Sequence, residues 1–134
     1  MFSKKSPKPQ NRIDSLIGAG TSIEGDVSFS GGLRIDGQVK GNVHATGDEA
    51  CTLVISEHAR IEGEVGVSHV VVNGTVIGPV RSSEFLELQP KARVTGDVEY
   101  NSIEMHLGAV VQGRLIHQGT LAKAVELKLA TSNG

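Results

Sequence analysis

The sequence has few cysteine, aromatic and proline residues and no long apolar run. Of its 134 residues, one is cysteine (Cys51), four are aromatic, four are proline and none is tryptophan. A lone cysteine excludes an intramolecular disulfide and is typical of a protein in a reducing compartment. No apolar run approaches the roughly 18 residues of a membrane span, and no charged leader precedes an apolar stretch with a cleavage site. We therefore expect neither a membrane span nor a secretory signal.

Glycine and β-branched residues are abundant instead. Glycine contributes 17 residues, and valine and isoleucine together contribute 25 against 10 leucines. β-branched side chains fit the pleated surface of a sheet better than the crowded surface of a helix. The composition therefore favours a strand-rich fold, and the length is that of one ordinary domain.

Charge is distributed unevenly along a chain whose formal net charge is −2. Residues 1–12 contain four basic residues and no acidic one, whereas all 15 acidic residues lie beyond them. The body of the chain is thus acidic on balance and should repel nucleic acid, so no nucleic-acid partner is expected. The basic N-terminal segment should instead be attracted to polyanionic surfaces.

A short unit recurs through the body of the chain: a β-branched residue, any residue, glycine, any residue, and a β-branched residue or leucine. Its six copies are residues 23–27, 35–39, 61–65, 72–76, 94–98 and 111–115. A longer period of roughly 17–19 residues lies over the short one, as expected of a solenoid. Apolar and polar residues alternate within each unit, which indicates strands rather than helices.

Short strands joined by regular bends predict an all-β fold, a triangular, single-stranded parallel β-helix of about six coils over residues 13–118. Glycine weakens a strand interior, so the glycines of the units are expected at bends that need a tight or left-handed backbone. These structural glycines are Gly25, Gly37, Gly63, Gly74, Gly96 and Gly113. Gly31-Gly32, Gly47-Asp48-Glu49 and Arg81-Ser82-Ser83 are interpreted as loop insertions, and such irregular coils favour right-handed winding.

The chain outside the repeats is expected to form two tails. Residues 1–12 hold Pro7 and Pro9 among polar neighbours, which predicts a disordered basic N-terminal tail. Residues 119–134 carry apolar residues at both two-residue and four-residue spacing, a pattern that does not separate helix from strand. We expect a flexible C-terminal tail there.

No motif predicts catalysis, a cofactor or a metal. The five histidines occupy no repeated position and form no zinc-ligand spacing, and phosphate-binding loops are absent. One enzyme hypothesis stays open, a trimeric acyltransferase-like protein on a left-handed β-helix that uses one histidine at a subunit seam. A carbohydrate-binding β-helix is a third hypothesis, but the aromatic platforms for sugar stacking are scarce.

The ends of the predicted solenoid are its most distinctive surface. A β-helix exposes strand edges and apolar side chains at its first and last coils unless a cap covers them. We predict end-to-end self-association through Leu16, Ile17, Val110, Val111 and Leu115. The alternative is that the tails fold over both ends and cap them.

The first residues of the chain combine apolar and basic side chains. We predict that Met1, Phe2, Lys4 and Lys5 contact a membrane, because the apolar pair can enter a bilayer while each lysine adds about 1 kcal/mol against anionic lipid. A single tail would bind weakly, whereas many tails on one polymer would bind through avidity. The alternative is a tail that only aids solubility.

Several runs together resemble the bactofilins, a family of bacterial polymer-forming cytoskeletal proteins. They are the repeated Ile-x-Gly-x-Val units, Leu86-Glu87-Leu88 followed by residues 92–96, and the closing run at residues 108–113. The opening Met1-Phe2-Ser3-Lys4-Lys5 resembles the family's membrane-targeting motif. The resemblance implies a right-handed β-helix that polymerises end to end, without nucleotide, into non-polar filaments. It further implies a location on the cytoplasmic face of the inner membrane and partners in cell-wall synthesis or remodelling.

Overall fold

The computed structural model describes residues 13–47 and 49–118, which form strands and turns with no helix among them. The tails predicted for residues 1–12 and 119–134 lie outside the described residues. The strands are β1 Ser15–Ile17, β2 Ser22–Glu24, β3 Val27–Phe29, β4 Gly32–Ile35, β5 Gln38–Lys40, β6 Val43–Ala45, β7 Thr52–Ile55, β8 Arg60–Glu62, β9 Val65–Val72, β10 Thr75–Ile77, β11 Val80–Leu88, β12 Arg93–Thr95, β13 Val98–Tyr100, β14 Ser102–Met105, β15 Val110–Gln112 and β16 Leu115–His117.

These strands stack in parallel on three faces. Face A contains β1, β4, β7, the second half of β9, the second half of β11, and β14. Face B contains β2, β5, β8, β10, β12 and β15. Face C contains β3, β6, the first halves of β9 and β11, β13 and β16. Because β9 and β11 each turn a corner from face C to face A, the strands make six coils, which confirms the predicted parallel β-helix. Its right-handed winding stays a prediction.

The core is a stack of similar residues, one from each of the four inner coils. On face A the register aligns Leu33, Leu53, Val70 and Leu86, none of which is more than 3% exposed. Alternate residues on each strand point outward, as the pleat requires, and Arg34 is an exposed example. Burying a side chain of this size contributes about 1.5–3 kcal/mol. The apolar columns of the inner coils therefore supply most of the driving force for the fold.

The corner between faces B and C carries a glycine in every coil. Four of the predicted structural glycines lie there, and two further glycines complete the column: Gly25, Gly41, Gly63, Gly78, Gly96 and Gly113. Their φ angles run from 131° to 159°, a region that L side chains rarely adopt. A Cβ atom on Gly63 would overlap the carbonyl oxygen of Gly41 in the coil below. This corner therefore excludes side chains for both conformational and steric reasons.

Gly37 and Gly74 belong to a different corner, between faces A and B. Neither has a positive φ. A Cβ on Gly37 would overlap the carbonyl oxygens of Gly18 and Thr21, and one on Gly74 would overlap that of Ser56. The same five-residue unit thus serves two corners, and at this one close packing alone requires glycine.

The irregular segments differ from the predicted insertions in two places. Gly32 begins β4, and Arg81-Ser82-Ser83 lies inside β11 rather than in a loop. β11 has one extra residue here, because Ser82 pairs with Val67 whereas Phe85 pairs with His69, and a register shift accommodates it. The Ser82 hydroxyl oxygen lies 2.8 Å from the Ser68 carbonyl oxygen and 2.7 Å from the Phe85 carbonyl oxygen, so its one O–H can donate to either of them across this bulge. A buried hydroxyl thus supplies a hydrogen bond where the bulge interrupts the ladder.

Substituting Gly63 with alanine tests the glycine column. We expect Gly63→Ala to lower the free energy of unfolding by about 2–4 kcal/mol, through strained φ and overlap with the neighbouring coil, and the thermal midpoint by about 10 °C. Gly20→Ala is the matched control, because a Cβ there meets nothing within 4 Å, and it should change stability by less than about 0.5 kcal/mol. Equal midpoints for the two variants in circular-dichroism melts would contradict this account.

Candidate functional site

The two terminal coils have strand neighbours on one side only within the described residues. In the first coil, β1, β2 and β3 pair with β4, β5 and β6 respectively. In the last coil, β14, β15 and β16 pair with β11, β12 and β13. Each end of the described solenoid therefore presents three parallel strand edges, which are templates for pairing with another chain.

Core residues of the last coil are far more exposed than their counterparts one coil earlier. Met105 stacks on Leu88 and is 45% exposed, whereas Leu88 is 0% exposed. Leu115 stacks on Val98 and is 48% exposed, whereas Val98 is 0% exposed. Val111, above the buried Val94, is half-buried. The C-terminal end of the described solenoid is thus an open cross-section of the core.

The first coil also presents core residues at its open end, but they are less exposed than those of the last coil. Ile17 is buried, while Ile23, Val27 and Phe29 pack against the core only partly buried. The first coil also carries acidic residues: residues 13–31 contain Asp14, Glu24 and Asp26 and no lysine or arginine. The two ends therefore share apolar centres but differ in charge.

The predicted self-association residues fall into two groups. Ile17, Val111 and Leu115 point into the terminal cross-sections, as the register with buried partners requires. Leu16 and Val110 are exposed at outward positions on faces A and B, beside Arg34 and Arg93. The structure thus brings three of the five residues to the ends and two to the lateral faces.

Sequence reasoning missed Met105 and Leu107. Met105 could have been found, since Ile103-Glu104-Met105 repeats Leu86-Glu87-Leu88 17 positions later. Leu107, which is 96% exposed, lies in the turn between β14 and β15 and follows no repeated apolar position, so no signal marked it. The predicted membrane residues Met1, Phe2, Lys4 and Lys5 lie outside the described residues. Within the described residues there is no helix long and apolar enough to span a bilayer.

An ion pair fastens the last coil to the one before it. Arg114 donates to Asp97 from its backbone N–H at 3.1 Å and from Nη2 at 2.9 Å. The side-chain and backbone hydrogen bonds lower the pKa of Asp97, and Asp97 raises the pKa of Arg114. A lowered folded-state pKa favours the fold above the unfolded value, and this contribution is lost only as the pH falls through the folded value. Because the pair is exposed, its contribution is small.

Ser68, His69 and Glu84 have the composition of a catalytic triad but not its geometry. His69 Nε2 lies 3.6 Å from Glu84 Oε1, and His69 Nδ1 lies 3.4 Å from Ser68 Oγ. The Ser68 hydroxyl instead donates to the Cys51 carbonyl oxygen at 2.8 Å and accepts the Cys51 N–H at 2.8 Å. A catalytic serine needs its proton directed at the histidine. Ser68 therefore joins two coils at the corner between faces C and A.

Three further histidines and Cys51 lie apart from one another on the surface and in the core. His58 lies beside Glu57, His106 beside Glu87, and the His117 ring meets Tyr100 edge-on with centroids 5.5 Å apart. The Cys51 thiol is buried and lies 3.4 Å from the Glu49 carbonyl oxygen. Burial and a carbonyl neighbour are typical of a structural thiol rather than a reactive one.

Comparison with known proteins points to one family. The profile of the bactofilin family, described as polymer-forming cytoskeletal, matches residues 15–116. The chain is 28% identical to bactofilin BacO of Myxococcus xanthus (strain DK1622) over 102 residues, which cover 76% of this chain and 78% of BacO. It is 24% identical to bactofilin BacP of the same organism over 116 residues, which cover 86% of this chain.

The aligned region covers 47% of BacP, so the chain spans about half the length of that relative. No solved structure gives a significant match. The family match, however, covers nearly the whole of the described solenoid, from β1 to β16. The chain therefore belongs to the bactofilins, a family of polymer-forming cytoskeletal proteins.

Proposed function

We propose that this bactofilin assembles end to end, through its terminal coils, into non-polar filaments that need no nucleotide. The observation that carries the proposal is the open core cross-section formed by Met105, Val111 and Leu115. A family of structural cytoskeletal proteins also suggests a structural rather than an enzymatic role.

Burial at an end contact supplies the driving force in this proposal. Covering the exposed halves of Met105 and Leu115 would contribute about 1 kcal/mol each. Pairing of the three terminal strand edges adds backbone hydrogen bonds worth about 0.5–1.5 kcal/mol each. Since both terms exist in the folded chain itself, nucleotide hydrolysis has no energetic role in assembly.

A filament without polarity requires two kinds of contact, each two-fold: last coil against last coil, and first coil against first coil. The last-coil contact buries Met105 and Leu115 against their copies. The first-coil contact brings acidic residues together, among them Glu24 and Asp26, so it is the weaker of the two at low ionic strength. Family resemblance supports this like-to-like arrangement.

The proposed filament lies on the cytoplasmic face of the inner membrane and holds cell-wall enzymes or other morphogenesis proteins. Met1, Phe2, Lys4 and Lys5 are the proposed lipid contacts, since they combine apolar and cationic side chains at one end of the chain. End-to-end assembly leaves faces A, B and C free along the filament. These faces are the proposed surfaces for partner proteins.

Replacing Val111 with arginine tests the last-coil contact. We expect Val111→Arg to raise the concentration needed for sedimentable polymer at least about tenfold, because burying an unpaired charge costs more than 1.4 kcal/mol. Gln112→Arg is the control, since Gln112 is exposed and outward on the same strand. Circular dichroism verifies that both variants fold. Pelleting of Val111→Arg at the wild-type concentration would place the joint elsewhere.

Removing residues 2–5 tests the proposed lipid contact. We expect the deletion to abolish flotation with anionic liposomes while leaving sedimentation of the polymer unchanged, since the tail contributes to membrane binding and not to the coil ends. Phe2→Ala should reduce flotation severalfold, whereas Ser3→Ala, its neighbour, should not change it. Full flotation of the deletion variant would exclude the tail as the membrane contact.

A further inference from the structure

Two glutamates and a histidine converge on face A between the fifth and last coils. The register of β11 with β14 places Glu87 directly beside Glu104. His106, just after β14, brings its Nε2 to 3.0 Å from Glu87 Oε2 and 3.3 Å from Glu104 Oε2. One ligand atom from each residue lies within 4.8 Å of the other two. We call these three residues the terminal carboxylate–histidine cluster.

The charges of this cluster are poorly matched without a cation. Like charges directly opposite on neighbouring strands destabilise a sheet, and Glu87 and Glu104 are such a pair. Over the described residues, His106 is the ion-pair partner found for both glutamates. A single Nε2–H cannot make two well-directed hydrogen bonds to separate carboxylates. The two carboxylates therefore share one cationic or N–H partner, His106 Nε2, and the further donor to Glu87, Gln89 Nε2 at 3.3 Å, is neutral.

The backbone holds all three residues in place. The His106 N–H donates to the Leu88 carbonyl oxygen at 2.9 Å, and the His106 carbonyl accepts from the Ala109 N–H at 3.2 Å. Glu87 and Glu104 lie within paired strands, and Gln89 Nε2 lies 3.3 Å from Glu87 Oε2. Backbone pairing thus sets the spacing of the three ligand residues while the last coil is folded, and Gln89 adds an outer hydrogen bond to Glu87.

We propose that Glu87, Glu104 and His106 bind a divalent cation of the zinc class, with water in the remaining position. Zinc with nitrogen and oxygen ligands at about 2.0–2.2 Å separates tetrahedral ligand atoms by about 3.4 Å, close to the distances from His106 Nε2. An imidazole ligand favours zinc and its transition-metal neighbours over magnesium and calcium. Two carboxylates, a neutral imidazole and the ion together carry no net charge.

The bound ion would tie the last coil to the coil before it. Glu87 comes from β11, whereas Glu104 and His106 come from β14 and the turn after it. The last coil has a strand neighbour on one side only within the described residues, so it should open more readily than the inner coils. Ion binding to the folded coil alone stabilises it by mass action. This inference does not depend on filament formation.

Zinc titration of the full chain, by isothermal calorimetry, tests the proposal. We expect one strong site per chain, weakened at least tenfold by His106→Gln and by Glu104→Gln. His58→Gln is the control, because the carboxylate found within ion-pair distance of His58 among the described residues is that of Glu57, at 3.3 Å, and it should leave the strong site intact. Zinc affinity unchanged in His106→Gln, or equally reduced in His58→Gln, would overturn the proposal.

Hydrogen exchange locates the ion independently. With zinc bound, the amides of β14 should exchange at least tenfold more slowly in the wild type and should be unaffected in Glu104→Gln, whose exposed side chain is nearly isosteric with glutamate. Magnesium at the same concentration should have no effect. Zinc binding that leaves β14 exchange unchanged, or equal protection by magnesium, would place the ion elsewhere or exclude a zinc-class site.

Discussion

Parallel stacking of coils in register is the constraint on which the rest of this structure depends. Each coil must turn its three corners at the same places as its neighbours, so that strands separated by about 4.8 Å pair along their whole length. The glycine column between faces B and C meets this need, because the carbonyl oxygen of Gly41 fills the space that a Cβ on Gly63 would take. A side chain at that corner would displace one coil and misalign the apolar columns above it.

The fold was predictable because its signal repeats, whereas the direction of individual side chains was not. Alternation within the units identified strands, and six copies identified a solenoid. Adjacent apolar pairs such as Leu16-Ile17 and Val110-Val111 leave open which member points inward. Only pairing decides this: Ile17 aligns with the buried Ile35, so Leu16 must point outward. The local sequence pattern shows that side chains alternate between two sides of the strand. Which of the two sides points into the core is decided by pairing with the neighbouring coil.

Contacts between coils could not be predicted from the sequence, because the number of residues per coil varies. Val65 stacks on Val43, 22 positions earlier, and under Val80, 15 positions later. The long step contains the connection from β6 to β7, and the bulge in β11 shifts the register again. The 19 positions between Glu87 and His106 therefore carried no ligand spacing that a sequence motif could reveal, although their side-chain atoms are 3.0 Å apart.

Stacking also separates the surfaces that self-association and other interactions would use. An apolar cross-section is exposed only at a coil that lacks a neighbour on one side. Met105 and Leu115 are therefore exposed, whereas Leu88 and Val98, at the equivalent positions one coil earlier, are buried. Each coil presents outward residues on all three faces, and contacts at the ends leave these residues accessible. In the proposed filament, assembly through the ends places many copies of each face side by side. A partner that binds one face weakly can therefore bind the polymer with high avidity.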